Sequence, residues 1–260
     1  MKELLAEWTK AARKLRGRHL LLLLDFDGTL SRLRNHPDKA VLPHTTKLLL
    51  EKLSARPDIT LGFISGRDLR VLQDKLNVKK AVYSGAHGCR IKGLGLDFTA
   101  PTPAPAKRAM RAFRAKLIAE TRGIPGVLIE NKEFTVGLHY WRVAPAKRPA
   151  LLALFGKLLK NYSGIRPKHG KFIVEVAPEA AWHKGDAVNY ILKKTKSRAG
   201  RPVYPIYAGD DTTDEDAFRA LKGRGLAVKV GEHKSSAAPY FLRDTMAVRS
   251  FLRLLLSTPA

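Results

Sequence analysis

The chain has 260 residues, 45% of them hydrophobic, and carries 48 Lys and Arg against 23 Asp and Glu, a formal charge of +25. That length and apolar content supply one sizeable core, or a core domain with a smaller second one, and exclude a disordered chain. So basic a surface attracts anions. The basic residues are nevertheless dispersed, with no long Lys/Arg block and no zinc-finger or RNA-binding aromatic signature, so nucleic acid is not expected as the main partner. A single cysteine, Cys89, excludes an internal disulfide and fits a reducing compartment. Residues 1–18 carry Glu3 and Glu7 among their apolar residues, unlike a signal peptide, and apolar runs such as residues 20–24 are far shorter than the roughly 20 residues that cross a bilayer. A soluble, cytoplasmic protein with no membrane partner is expected.

Residues 19–26 form a continuous apolar run that ends in Asp25, Asp27 and Gly28, the pattern of a buried parallel strand opening into a loop. Residues 43–53 follow with Pro43 at a helix start, residues 59–64 read as a second buried strand, and Leu69, Leu72 and Leu76 mark a helix over 68–76. A short strand at 81–83 completes this series. Residues 99–105 hold three prolines and read as a semi-rigid crossing. Beyond it, Ala106, Met110, Phe113 and Leu117 line one helix face, and strands at 127–130, 134–140 and 171–176 with a helix at 147–159 form a mixed unit. Strand patterns resume at 203–208 and 226–230. Strands alternating with helices predict an α/β parallel sheet with ligands at the carboxyl ends of its strands. The domain expectation is a core built from residues 1–104 and 178–260 with a second domain at 105–177 inserted into it.

In an extended chain residues i and i+2 face the same side, so Asp25 and Asp27 at a strand end can approach one bound group. Taken alone, the pair is equally a polar strand end before a glycine turn. The segment Asp25-Phe26-Asp27-Gly28-Thr29, however, resembles the first motif of the haloacid dehalogenase superfamily of phosphotransferases. Three further segments match in order: Ser65-Gly66-Arg67, Lys184 in Trp182-His183-Lys184-Gly185, and Gly209-Asp210-Asp211-Thr212-Thr213-Asp214. The resemblance implies a Rossmann-like parallel-sheet core with an inserted α+β cap domain. It also implies Asp25 as nucleophile, phosphate contacts from Ser65, Gly66 and Lys184, and Mg2+ held by Asp25, Asp210 and the Asp27 backbone carbonyl. Asp211 and Asp214 are expected behind them, holding a metal-bound water or orienting Lys184. A phosphate dianion repels an anionic nucleophile, which is why the site needs added positive charge. A sugar alkoxide leaves poorly without a proton, so Asp27 is expected as general acid and then base.

Within the superfamily the chain resembles the trehalose-6-phosphate phosphatases from Leu20 onward, through Pro37-Asp38-Lys39-Ala40, Gly85-Ala86-His87-Gly88 and the run from Gly209 to Phe218. Glu130 and Lys132, His139, Arg142, Lys171 and Glu175 resemble the family's cap residues, although Trp141 separates Tyr140 from Arg142 where the pattern has them adjacent. The resemblance implies a sugar-phosphate substrate contacted by these residues and by Arg67, and a functional link to trehalose-6-phosphate synthase. Surface salt bridges are the other reading of the cap charges. His87, flanked by glycines that allow close backbone approach, is either a substrate contact or a loop histidine. Sucrose-phosphate, mannosylglycerate-phosphate and hexose-phosphate phosphatases share the core motifs and stay open, as does a non-catalytic sugar-phosphate-binding module.

Overall fold

The computed structural model describes residues 1–33, 37–131, 134–170, 172–179, 182–231 and 235–258. In chain order its strands are β1 (Lys2–Glu3), β2 (His19–Leu24), β3 (Ile59–Ile64), β4 (Ala81–Gly85), β5 (Arg90–Gly93), β6 (Leu96–Thr99), β7 (Leu128–Asn131), β8 (Val136–His139), β9 (Ile165–Gly170), β10 (Ile173–Pro178), β11 (Val203–Gly209), β12 (Leu226–Val230) and β13 (Tyr240–Leu242). The helices are α1 (Trp8–Arg13), α2 (His44–Ala55), α3 (Leu69–Leu76), α4 (Ala104–Thr121), α5 (Arg148–Leu159), α6 (Lys184–Lys196), α7 (Glu215–Ala220) and α8 (Thr245–Ser257). They divide into two compact units, Met1–Thr99 with Trp182–Ala260, and Ala100–Ala181.

The first unit is an α/β sheet of nine strands in the order β1-β13-β12-β11-β2-β3-β4-β5-β6. Pairing is parallel from β1 across to β4 and antiparallel only for β5 and β6 at the far edge. The uninterrupted leucines of β2 now have a reason. Leu20, Leu22 and Leu24 enter a core with Leu50, Leu72, Phe251 and Leu255, while Leu21 and Leu23 enter a second core on the other face with Val188, Ile191 and Phe218. A strand buried on both faces has no solvent side on which to place polar residues.

In the second unit β7-β8-β10-β9 form an antiparallel sheet. Phe113 and Leu117 of α4 and Leu151, Phe155 and Leu158 of α5 pack with Val136, Leu138, Val174 and Val176. Alternation puts Glu130, Gly137, His139, Ile173 and Glu175 on the opposite face. The sequence reading missed β9, whose Ile-Arg-Pro-Lys-His-Gly run is polar and proline-containing; at a sheet edge Pro167 removes no interior ladder bond. The reading also missed the β5–β6 hairpin, and the strand expected over 171–176 runs instead from Ile173 to Pro178. Among the described residues no helix is long and apolar enough to cross a membrane.

Leu22 is 1% exposed at the centre of the larger sheet. Leu22→Ala is expected to lower stability by about 2–5 kcal/mol, the range for an incompletely refilled core cavity, read as a shifted midpoint in urea unfolding at unchanged slope.

Candidate active site

Strands β11, β2 and β3 are neighbours and parallel, so their carboxyl ends open on one edge of the sheet. Asp210 stands directly after β11, Asp25 directly after β2 and Ser65 directly after β3. This is where a parallel α/β sheet offers a crevice, because the chain must turn away from each strand end and leaves a gap between diverging loops.

After Asp25 the chain folds into a tight loop: Leu30 and Ser31 both donate backbone bonds to the Phe26 carbonyl, and Gly28 donates to Ser31. Gly28 has φ +81, and a Cβ there would lie 1.9 Å from Asp210 Oδ2, so only glycine lets the two loops approach. Thr29 Oγ1 lies 3.4 Å from Asp210 Oδ1 on the same side.

Lys184 begins α6, whose start is fixed by a capping box: Asp186 N–H donates to His183 Nδ1, and the His183 N–H donates to Asp186 Oδ2. From there Lys184 Nζ donates to Asp25 Oδ1 and to Asp214 Oδ1, each at 2.7 Å, with all three side chains buried. Asp214 is itself held on every side. Its Oδ1 also accepts from the Tyr207 hydroxyl at 2.5 Å, and its Oδ2 accepts from the Asp211 N–H at 2.8 Å. Asp214 is thereby an anchor for Lys184. Asp211 receives the Thr212 and Thr213 hydroxyls at 3.2 and 3.3 Å.

Asp25, Asp210 and Asp214 each offer a carboxylate oxygen within 4.8 Å of the others. Burial pushes the Asp25 carboxyl well above the usual range despite the Lys184 ammonium, with Asp214 and Asp210 adding repulsion. Burial, then Asp214, raises Asp210 to about 7. Burial alone would lower Lys184, but two touching carboxylates override it and its value rises. Tyr207 is raised by burial and by the same acids, so its hydroxyl stays a donor to Asp214. Three carboxyls outnumber the ammoniums of Lys184 and Lys229, and their mutual repulsion in a water-poor place helps to hold Asp25 and Asp210 high. A divalent cation would cancel it, and hard oxygen donors are the ligand set that suits one.

The remaining expected residues fall in two groups. Ser65 is buried, its Oγ accepting from the Arg67 N–H at 3.2 Å. The Arg67 guanidinium lies on Asp27, Nε to Oδ2 at 2.7 Å and Nη2 to Oδ1 at 2.6 Å. His87 sits in a left-handed conformation, φ 56, its N–H donating to the Ser65 carbonyl; a Cβ on Gly66 would lie 2.5 Å from the His87 ring. His87 therefore packs on the Ser65-Gly66-Arg67 turn. In the second unit His139 Nε2 and Glu130 Oε2 are 2.8 Å apart, Glu130 and Glu175 are both registered opposite Gly137, and Lys168 is registered opposite Glu175. The Arg142 guanidinium lies over the Trp141 ring. Lys132 and Lys171 lie outside the described residues.

Sequence reasoning gave no role to Tyr207 or Lys229. Tyr207 reads as one more apolar residue of a core strand. Lys229, nearly buried at the end of β12, donates to the backbone carbonyls of Asp210 at 2.5 Å and Asp211 at 3.4 Å. Its only signal is a lysine inside the apolar run Leu226–Val230.

The trehalose-phosphatase family profile matches residues 23–246. Trehalose-phosphate phosphatase B of Arabidopsis thaliana is 30% identical over 252 residues, covering 92% of this chain and 67% of the relative. Trehalose 6-phosphate phosphatase RA3 of Zea mays is 28% identical over 267 residues, covering 96% and 73%. In fold, the C-terminal domain of Candida albicans trehalose-6-phosphate phosphatase superposes with a TM-score of 0.74 at 24% identity, over 96% of this chain and 97% of that one. With the profile spanning most of the sequence and Asp25, Asp210 and Asp214 gathered in one cluster, the chain belongs to the trehalose-phosphatase family, a family of phosphoric monoester hydrolases.

Proposed function

We propose that this chain hydrolyses trehalose 6-phosphate to trehalose and phosphate, with magnesium, through an aspartyl-phosphate on Asp25. The observation that carries the reading is Lys184 held between Asp25 and Asp214 beside Asp210, at the ends of adjacent parallel strands. Asp25 Oδ1 is taken by Lys184, which fixes the carboxylate and leaves its second oxygen to attack phosphorus in line. Lys184 and the Ser65 hydroxyl bind the non-bridging phosphate oxygens. Asp27 gives a proton to the departing sugar oxygen and then takes one from the water that cleaves the aspartyl-phosphate. Asp25, Asp210 and the Asp27 carbonyl would hold Mg2+, which when bound supplies the charge that lets a dianion approach a carboxylate. Asp214 is assigned to holding Lys184, since both its oxygens already accept hydrogen bonds.

For the sugar, the polar face of the second sheet supports a disaccharide. Glu130, His139 and Glu175 gather there around Gly137, whose missing side chain leaves room between them. Carboxylate acceptors beside donors suit a ligand rich in hydroxyls. We assign Lys132, Arg142 and Lys171 to the same substrate by their family positions.

Phosphate release from trehalose 6-phosphate, beside sucrose-, glucose- and mannose-phosphates, tests the proposal. Release from the first with magnesium, abolished by chelator, is expected; equal rates on simple hexose phosphates would defeat the disaccharide assignment. Asp25→Asn is expected to drop turnover to background while its unfolding curve stays cooperative, and retained turnover would remove Asp25 from its role.

The raised Asp210 value fixes the sign of a pH effect. Between about pH 4, where a carboxyl titrates in the unfolded chain, and pH 7, where it titrates in the folded one, only the folded state holds the proton. This contribution to metal-free stability is therefore largest in acid and is lost as pH rises through 7. Magnesium must displace that proton, so its apparent affinity is expected to fall by up to about tenfold per pH unit below 7. Melting temperatures taken with magnesium and with chelator should differ more at pH 8 than at pH 5.5, and Asp210→Asn, which deletes a carboxylate of the proposed metal set, should shrink the difference at both.

A further inference from the structure

The Ser65-Gly66-Arg67 turn does more than present a hydroxyl to phosphate. Arg67 reaches across to the loop after β2 and meets both oxygens of Asp27, Nε to Oδ2 at 2.7 Å and Nη2 to Oδ1 at 2.6 Å. The Asp27 side chain is 34% exposed, whereas that of Arg67 is 11% exposed. A partly exposed carboxylate on two rotatable bonds samples several rotamers. A planar guanidinium that engages both oxygens selects one of them and fixes the carboxylate plane.

Arg67 can serve as such a reference because it is itself fixed at three places. Its N–H donates to Ser65 Oγ at 3.2 Å, its carbonyl accepts from the Ala86 N–H at 2.7 Å, and its guanidinium carbon lies 5.4 Å from the ring centroid of Phe26. Phe26 is fully buried between Asp25 and Asp27 in the chain. The guanidinium thus spans from the turn that carries Ser65 to the loop that carries both acids, over the ring of Phe26 that lies between them in the chain.

We propose that Arg67 is the positioning residue of Asp27, rather than a contact to the substrate: its fork holds the carboxylate on both oxygens, and with Asp27 protonated one bond stays on the carbonyl oxygen while the other oxygen carries the proton that goes to the sugar oxygen. The inference rests on the role given to Asp27 above. Proton transfer needs the acid within about 2.6–3.2 Å of the oxygen it protonates, so freeing the Asp27 side chain harms a poor leaving group selectively. A sugar alkoxide cannot depart without that proton. A p-nitrophenolate or an acetate departs without one.

The test follows the first turnover of phosphoryl transfer to the enzyme by rapid quench, for trehalose 6-phosphate and for p-nitrophenyl or acetyl phosphate. Arg67→Met, which removes the fork and keeps an apolar stem over Phe26, is compared with Arg67→Lys and Asp27→Asn. General acid catalysis contributes roughly 100-fold or more. The ratio of sugar-phosphate rate to activated-phosphate rate is therefore expected to fall at least about tenfold in Arg67→Met. It should fall less in Arg67→Lys, which restores a single bond, with KM for trehalose 6-phosphate within about threefold of the parent. Equal losses on both substrate types, or a rise in KM alone, would overturn the proposal. If Asp27→Asn leaves the ratio unchanged, the acid assignment itself fails; if Asp27→Asn lowers it and Arg67→Met does not, only the positioning role fails. Retention of the magnesium-induced rise in melting temperature in Arg67→Met shows that any change in the ratio does not come from a collapsed site.

Discussion

A single ammonium shared by two buried carboxylates organises this site. Lys184 between Asp25 and Asp214 ties the end of β2 to the turn after β11 through the first residue of α6, and none of the three side chains faces bulk water. Such an arrangement is expensive: each charge loses its hydration, and removing one member of a buried pair typically costs on the order of 3–5 kcal/mol. Its persistence is explained by what surrounds it. Asp214 collects three donors, and the helix that carries Lys184 is locked at its start by the His183–Asp186 box. What remains unbalanced is the repulsion around Asp25 and Asp210, an acidic cluster whose oxygens could hold a metal ion.

The requirement for close approach explains several residues whose chemistry is otherwise mute. Gly28 yields the space that Asp210 fills, and Gly66 yields the space that the His87 ring fills. Ala86 and His87 both adopt left-handed backbone conformations, each costing a non-glycine residue about 1–2 kcal/mol. That cost is borne in the segment that bonds to Ser65 and Arg67, which places stored backbone strain beside the chemistry.

The parallel core was legible because burial on both faces removes polar residues from β2 altogether, leaving a signal that needs no partner to be read. The pair Asp25 and Asp27 stood out because it closes an apolar strand and is followed by a glycine. Edge strand β9 was not, since an edge tolerates the proline and charge that elsewhere argue against a strand. Tyr207 and Lys229 were hidden for the opposite reason: each sits in a strand whose pattern is apolar, and a single polar atom at its tip meets a partner distant in sequence or across a turn. Arg67 was read as a substrate contact, and its bond to Asp27 had no signal, because a 40-residue separation leaves no periodic trace.

These long-range bonds share one geometry. Each reaches a loop at the carboxyl end of the sheet: Lys184 from the start of α6 to Asp25 and Asp214, Lys229 from β12 to the loop after β11, and Arg67 from the loop after β3 to the loop after β2. Strand ends about 4.8 Å apart can be tied by backbone bonds, as Ala86 to Arg67 and His87 to Ser65 show, but the side-chain carboxylates beyond them need side-chain partners. Long cationic side chains supply these. They also bring positive charge to a place crowded with carboxylates, so the groups that set the geometry offset part of the repulsion that a phosphate would meet. In this fold, positioning and electrostatics are consequently supplied by the same residues, and a change that disturbs one disturbs the other.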